Sequence, residues 1–476
     1  MGSLPPPHVV IFPFMAQGHT LPLLDLSKAL LCRGIKVTII TTPSNAPTIL
    51  QYIPKQPLIS LTVIPFPVVE GLPKGCENTS HLPSMDLMPS FLTATMELQQ
   101  PFERILREMS DTGCLPICVI SDFFLGWTLV TCRLFGVPRL VFTGMGVLSM
   151  AITKTAWEQK PNLISKSDSD TLDLPGLTLP FALTRADLPD SFRVPDCDDS
   201  FHRFISAVGH YDAGSWGVIV NSFTELEGVH VSALESFIEN GGKAWCVGPI
   251  LLYDEMGYGS ASDNQLYIQW LDEQAVSGSV IYVSFGSQAH VSDTQLDELA
   301  FGLHKSGHRF ILVIRSKTWT PPDGLEEISK EKGLIVRDWV DQRRILAHPA
   351  TGGFLSHCGW NSVLESLSMG VPLLAWPMMA EQRLNAKIVV EGFEVGMCVP
   401  FGEKSGLVGR EAICDVVREL MGGEKGRKAR ERVEVVGRMA KKAVQKGGSS
   451  DNSLTELIES LSLSTKVKNG DRINDF

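Results

Sequence analysis

The sequence predicts an α/β protein of two doubly wound domains, each a parallel sheet covered by helices. Three observations carry this. Short apolar runs alternate with stretches of helical spacing, that alternation is run through twice, and a stretch bearing Gly, Pro and Ser separates the two passes.

His8 to Phe14 is an apolar run of strand length, Leu21 to Arg33 has apolar residues at helical spacing, and Lys36 to Thr42 is β-branched between Gly34 and Pro43. Together they read as one strand–helix–strand unit. Runs at 117–121, 138–143 and 217–221 continue the first pass. Ile64 to Pro89, dense in Pro and Gly, reads as a long functional loop. The second pass opens at Ser279 to Ser284 and goes on through Phe310 to Ile314, Gly333 to Val336, Gly353 to Ser356 and Pro372 to Trp376. Between the passes, Gly248, Pro249, Gly257, Gly259 and Ser260 give a linker composition. We therefore expect an N-terminal domain over 1–248, a linker over 249–262 and a C-terminal domain over 263–448. Residues 464–476, polar with Lys466, Lys468, Asn469 and Gly470, read as a mobile tail.

The 476 residues, 44% hydrophobic, suffice to fill two cores. Lys+Arg 42 against Asp+Glu 53 leaves a net charge of -11 with no long basic run, which argues against a nucleic-acid partner. Val9 to Met15 has no basic lead and is too short to cross a bilayer, so it reads as a first core strand, and no membrane span is expected. The ten cysteines form no CxxC pair, and Cys32, Cys118 and Cys132 sit inside apolar runs, a usage that fits a reducing, cytoplasmic setting. A monomer is the default expectation.

Residues 339–382 read WVDQRRILAHPATGGFLSHCGWNSVLESLSMGVPLLAWPMMAEQ. They describe a strand, a turn at His357 to Gly359, and a helix beginning near Trp360. Free backbone N–H groups and the positive dipole end at a helix start attract an anion, and His357, Asn361 and Ser362 can add donors. Ser362 followed by Glu365 is equally a capping-box pattern, and at this point both readings stand. Ser284 to Ser287, reading SFGS after a strand, is a small turn where backbone and the Ser287 hydroxyl can approach a phosphate.

His19 lies in FPFMAQGHTLPLL, in the loop leaving the first strand, where open α/β sheets place ligands; a loop His is also an ordinary surface residue. Asp122, in CVISDFFLGW, ends another apolar strand and is by itself an ordinary turn residue. Phe14, Met15, Phe91, Phe124 and Phe142 cluster near strand ends and can line an apolar pocket or simply fill the core. Two DxD patterns, Asp168 to Asp170 and Asp196 to Asp198, sit in Ser-rich or Pro-flanked acidic loops and read as solvated loops rather than a metal site.

Residues 339–382 resemble, almost position for position, the plant secondary product signature of family 1 nucleotide-sugar glycosyltransferases, from Trp339 to Gln382. The likeness extends from HVVIFPFMAQGH to the basic helix region around 421–448. It implies the GT-B fold, two facing Rossmann-like domains with the site in a cleft, and a helix over 449–463 packing back on the N-terminal domain. It implies that Trp339 stacks on uracil beside the Val340 backbone, that Gln342 and Glu365 hold the ribose, and that His357, Gly359, Asn361 and Ser362, with the Ser287 turn, hold the diphosphate. Trp360, Glu381 and Gln382 would face the sugar, with Thr143 near its 6-hydroxyl. The family's usual Asp before the final Gln is Glu381 here; charge is kept on a longer arm, and glucose binding is expected to survive.

By the same resemblance His19 is the general base and Asp122 its carboxylate partner. The implied reaction is a metal-free, inverting transfer of glucose from UDP-glucose as co-substrate, with no other cofactor, to a hydroxyl of a small apolar acceptor such as a flavonoid or other phenolic. C-glucosylation by the same base, and non-catalytic nucleotide-sugar binding, are the alternatives. A nicotinamide oxidoreductase is disfavoured because MAQGHT, not GxGxxG, follows the first strand, and an α/β-hydrolase because no GxSxG elbow occurs.

Overall fold

The computed structural model describes residues 6–192, 200–253, 266–316, 319–322, 324, 332–400 and 406–471. The chain divides into two compact units. The first comprises Met1–Lys154, Pro195–Gly259 and Lys442–Phe476; the second comprises Thr155–Val194 and Ser260–Lys441.

The first unit is built on β1 (His8–Phe12), β2 (Lys36–Thr41), β3 (Ile59–Val63), β4 (Cys118–Asp122), β5 (Arg139–Phe142), β6 (Gly217–Val220) and β7 (Lys243–Cys246), a parallel sheet in the order β3-β2-β1-β4-β5-β6-β7. Period-two alternation sends Val9 and Ile11 of β1 to one face, with Leu23, Ile39, Ile120 and Phe142, and Val10 and Phe12 to the other, with Phe14, Phe91 and Trp127. Both faces are buried, as continuous apolar strands require. The helix Ser449–Asp471 belongs to this unit: Leu454, Leu457 and Leu461, spaced along one helical stripe, enter the same core as Val9 and Ile11. Its start is tied down by Ser450, whose hydroxyl donates to the Gly248 carbonyl at 2.5 Å, and by the Arg33–Asp451 ion pair.

The second unit carries β8 (Val280–Ser284), β9 (Arg309–Val313), β10 (Gly333–Val336), β11 (Thr351–Ser356), β12 (Leu373–Ala375) and β13 (Gly396–Cys398), parallel in the order β10-β9-β8-β11-β12-β13. Its core includes Val283, Leu299, Phe310, Leu312, Leu355, Leu374 and Val417. In each sheet the strand order reverses direction at one pair, β1/β4 in the first and β8/β11 in the second, and the carboxyl ends of such pairs are where doubly wound sheets bind ligands.

Several expectations shift in detail. The first helix spans Gln17–Leu31, so His19 sits in its first turn and not in a loop; the His19 and Thr20 amides already donate to the Ala16 carbonyl. Polar residues before Leu21 hide this start from apolar spacing. Strands β3, β7 and β13 have no counterpart in the sequence reading; β3 and β13 are short and only partly buried edges. The loop from Ile64 folds through one-turn 3-10 helices at Thr79–His81 and Met85–Leu87. Residues 254–262 of the expected linker lie outside the described residues, while Ile250–Tyr253 forms a 3-10 turn whose Ile250 joins the first core. Of the DxD patterns, Asp168 pairs with Arg185 at 2.8 Å, Asp170 accepts from the Ser167 amide at 2.8 Å, and Asp196 to Asp198 lie outside the described residues. Among the described residues, no cluster of His, Cys, Asp and Glu is arranged to hold a metal, and no helix is long and apolar enough to cross a membrane.

Candidate active site

In the first unit, the ends of β1 and β4 bring His19 and Asp122 together. His19 Nδ1 lies 2.8 Å from Asp122 Oδ2, with the imidazole 26% exposed and the carboxylate fully buried. An ionised carboxylate only accepts, so Nδ1 carries the hydrogen and Nε2 is left as the basic nitrogen. The other carboxylate oxygen accepts the Phe124 amide at 3.0 Å, capping the 3-10 turn Phe123–Leu125.

Behind Asp122 stands Arg139 of β5, fully buried and not singled out by its sequence context, the apolar run PRLVF. Its Nε donates to Ser121 Oγ at 2.8 Å and Thr128 Oγ1 at 3.0 Å, Nη1 to Ser215 Oγ at 2.7 Å and Asp212 Oδ1 at 3.3 Å, and Nη2 to the Asp122 carbonyl at 3.3 Å. Burial pushes the Asp212 carboxyl up, with Lys154 and Arg139 opposing. The buried cation is thus surrounded by acceptors, which a desolvated guanidinium requires.

In the second unit, the ends of β8 and β11 carry SFGS and the turn His357 to Gly359. The His357 ring lies between two glycines: a β-carbon on Gly286 would stand 2.8 Å from it and one on Gly359 2.6 Å from Nε2. Gly286 has φ 77 besides, so this turn needs glycine twice over. Desolvation lowers the His357 pKa to about 4, and its buried Nδ1 has no hydrogen-bond partner among the described residues. Ser287 is half-buried on the same turn.

The helix Trp360–Met369 starts on Gly359 as N-cap, which places Ser362 inside the first turn and overturns the capping-box reading. Both of that pattern's residues turn instead to Gln342. Gln342 Nε2 donates to Ser362 Oγ at 2.9 Å and Glu365 Oε2 at 2.6 Å, and Gln342 Oε1 accepts from the Tyr282 hydroxyl at 3.2 Å. Glu365 also accepts from Arg343 Nε at 3.1 Å. Tyr282 and Arg343 were invisible as partners because they lie in a core strand and beside a helix start, with no pattern of their own. Trp339 is 46% exposed, whereas Val340 and Trp360 are buried; Asn361 is half-buried on the first helical turn.

Gln382 Oε1 accepts from the Met378 and Met379 amides at 3.0 and 2.9 Å, bracing the loop after β12, and Glu381 stands at the N-cap position of the short helix Gln382–Lys387 with no capping bond from its side chain. Thr143 belongs to the first unit, at the end of β5, where its oxygen accepts from the Met145 amide at 3.3 Å and it donates to Met150 Sδ at 3.1 Å.

Of the aromatic set, Phe14 lies 5.5 Å from the His19 ring, 4.8 Å from Phe124 and 5.8 Å from Phe91, and Met15 is buried in the same cluster. Phe142 is not with them: alternation along β5 turns it to the opposite face of the sheet. Beside Phe124 opens a cavity of about 220 Å³ lined by Thr93, Met96, Trp127, Phe204 and Tyr211 among others, with Arg203 the charged residue in its wall. Its lining draws on separated stretches of the chain, so no local sequence pattern marks it.

Residues 7–135 match the family described as Glycosyltransferase, N-terminal domain, and residues 262–402 that described as UDP-glucoronosyl and UDP-glucosyl transferase. A scopoletin glucosyltransferase of Nicotiana tabacum is 39% identical over 482 residues, spanning 97% of this chain and 98% of that protein. Among solved structures, UGT73P12 of Glycyrrhiza uralensis complexed with glycyrrhetinic acid 3-O-monoglucuronide superposes with a TM-score of 0.87 at 32% identity, covering 99% of this chain and 98% of that one. UGT2 of Phytolacca americana complexed with UDP-2fluoro-glucose and pterostilbene does so at 0.81 and 31%, covering 96% and 100%.

Proposed function

We propose, from the premise that this chain belongs to the plant family 1 UDP-glycosyltransferases, that it transfers glucose from UDP-glucose to a hydroxyl of a flavonoid or other small phenolic, with inversion to a β-glucoside. Membership makes it a GT-B glycosyltransferase that uses a UDP-sugar; the sugar, the acceptor and the stereochemistry are our reading.

The observation that carries it is the His19–Asp122 pair at the end of β1 and β4. His19, fixed through Nδ1, takes the acceptor's hydroxyl proton on Nε2. The acceptor oxygen then forms a bond to the anomeric carbon while the bond from that carbon to the UDP oxygen breaks from the opposite face, and UDP leaves with the electron pair. Asp122 stabilises the imidazolium that results. The leaving diphosphate meets neutral donors: the start of helix Trp360–Met369, Asn361, Ser362, the Ser287 turn and the His357 ring set between the two glycine turns. Trp339, with half its surface open, supplies a face for uracil, and the Gln342–Glu365–Ser362 group pre-positions polar atoms for the ribose.

For the acceptor, the support is the apolar wall of Phe14, Phe91 and Phe124 against His19 and the cavity continuing from Phe124. Scopoletin and pterostilbene, named in two of the relatives, are flat phenols of suitable size. Nine described cysteines are free thiols, which supports a cytoplasmic setting.

The test is UDP release from UDP-glucose with a panel of flavonoids and simple phenols in EDTA, wild type against His19→Ala. Acceptor-dependent release that persists in chelator and is lost in the variant is expected. Turnover abolished by chelator, or undiminished in His19→Ala, would defeat the mechanism; binding of UDP-glucose without turnover of any phenol would defeat the acceptor class.

A further inference from the structure

Asn385 lies beyond the signature segment, on the helix Gln382–Lys387, and is fully buried. Its Nδ2 donates to the Cys358 carbonyl at 2.9 Å and to Glu381 Oε1 at 3.2 Å. These partners belong to the two ends of the donor site: Cys358 to the turn at the diphosphate, Glu381 to the sugar.

Cys358 is held at φ 64, the left-handed region that a residue with a β-carbon enters only at a cost, and Ala380, just before Glu381, is held at φ 50. Such backbone persists where surrounding groups over-determine it. Around Cys358 these are the Ser356 hydroxyl, which accepts the Cys358 amide at 3.1 Å, and the Asn385 amide on its carbonyl. In a trans peptide the C=O and N–H point in opposite directions. Turning the Cys358 carbonyl toward Asn385 therefore turns the Gly359 N–H to the other side, away from the interior that Asn385 fills. That N–H belongs to the N-cap of helix Trp360–Met369, among the groups assigned above to the diphosphate.

Resting on that reading of the donor site, we infer that Asn385 is a positioning residue that fixes the Cys358–Gly359 peptide for the diphosphate and, through Glu381, couples it to the sugar end. Neither contact touches substrate. One amide sets two substrate-facing groups from behind, so a disturbance at either end is felt at the other.

The experiment measures UDP, UDP-glucose and uridine affinities by calorimetry for wild type, Asn385→Leu, Glu381→Ala and the double variant. Asn385→Leu keeps the branching of the side chain and removes the donor, at the cost of two bulkier methyl groups. We expect UDP to bind about ten-fold more weakly, uridine within about two-fold of wild type, and the acceptor KM unchanged. For UDP-glucose, the Asn385→Leu penalty should shrink in the Glu381→Ala background, which removes the Oε1 acceptor, the non-additivity of coupled residues. If Asn385→Leu does not fold, Asn385→Ser, which shortens the side chain and stays polar, should give the same pattern. Full UDP affinity with only a lower melting temperature would overturn the inference, as would equal losses for UDP and uridine or strict additivity with Glu381→Ala. If the wild type binds no UDP, the donor-site reading itself has failed; if it binds UDP and Asn385→Leu binds it equally, only the role of Asn385 has.

Discussion

Gly286 and His357 contend for one space: a β-carbon on Gly286 would stand 2.8 Å from the imidazole, and the glycine's φ of 77 adds backbone strain to that clash. Gly286→Ala should therefore displace the ring and weaken UDP by about ten-fold or more, with uridine little affected. Equilibrium titration of both ligands checks this; unchanged UDP affinity would mean the ring does not face phosphate.

His357 titrates well below its ordinary value, at about 4, because its ring is desolvated. The unfolded chain takes up this proton near pH 6.5 and the folded chain does not, so stability is whole above about 6.5 and declines as pH falls toward about 4. The loss from this residue is at most about 3 kcal/mol. His357→Gln should flatten that part of the melting-temperature profile between pH 6.5 and 4; an unaltered slope would assign the acid loss to other groups.

Asp122→Asn keeps the acceptor for the Phe124 amide but can turn an NH2 toward His19 Nδ1, favouring the tautomer that leaves Nε2 protonated. We expect kcat to fall about 10³- to 10⁴-fold with the UDP-glucose affinity held within about two-fold. Steady-state kinetics with a separate binding titration distinguish this from general damage, which would lower both.

Glu365 gathers donors from Gln342 at 2.6 Å and Arg343 at 3.1 Å. Glu365→Ala should take an acceptor away from both side chains and raise the UDP-glucose KM by about ten-fold or more, while the acceptor KM stays put. A change confined to the acceptor KM would contradict a ribose role.

Arg139→Met strips a buried cation from Asp212, Ser215 and the Asp122 carbonyl. Because Asp212 is then left buried and unpaired from it, destabilisation of about 3–5 kcal/mol is expected in chemical unfolding. A loss below about 1 kcal/mol would show that the cation is dispensable to this end of the sheet.

What the sequence made legible follows from where the information is local. β1, β4 and β8 read as apolar runs because both sheet faces are covered, and the short apolar step of β11, the turn at His357 and its following helix read from adjacent residues. What was hidden depends on partners far apart in the chain. Arg139 looks like an isolated charge in an apolar strand until Asp212 and Ser215 stand beside it, and Phe142 looks like Phe14 until the pleat sends it to the other face. Of the two readings open for Ser362–Glu365, local spacing cannot show that the cap fails, because a distant glutamine claims both side chains.

Leu454, Leu457 and Leu461 share a core with Val9 and Ile11, so the first unit is closed by residues made after the whole of the second. During synthesis on the ribosome, helix Gln17–Leu31 can cover its part of this core early, but the part beside β7 must wait until the helix from Ser449 emerges. Chimeras that exchange amino-terminal halves between relatives should accordingly carry residues 442–471 along with the amino-terminal portion, since a single crossover near residue 250 pairs one parent's sheet with the other parent's C-terminal helix.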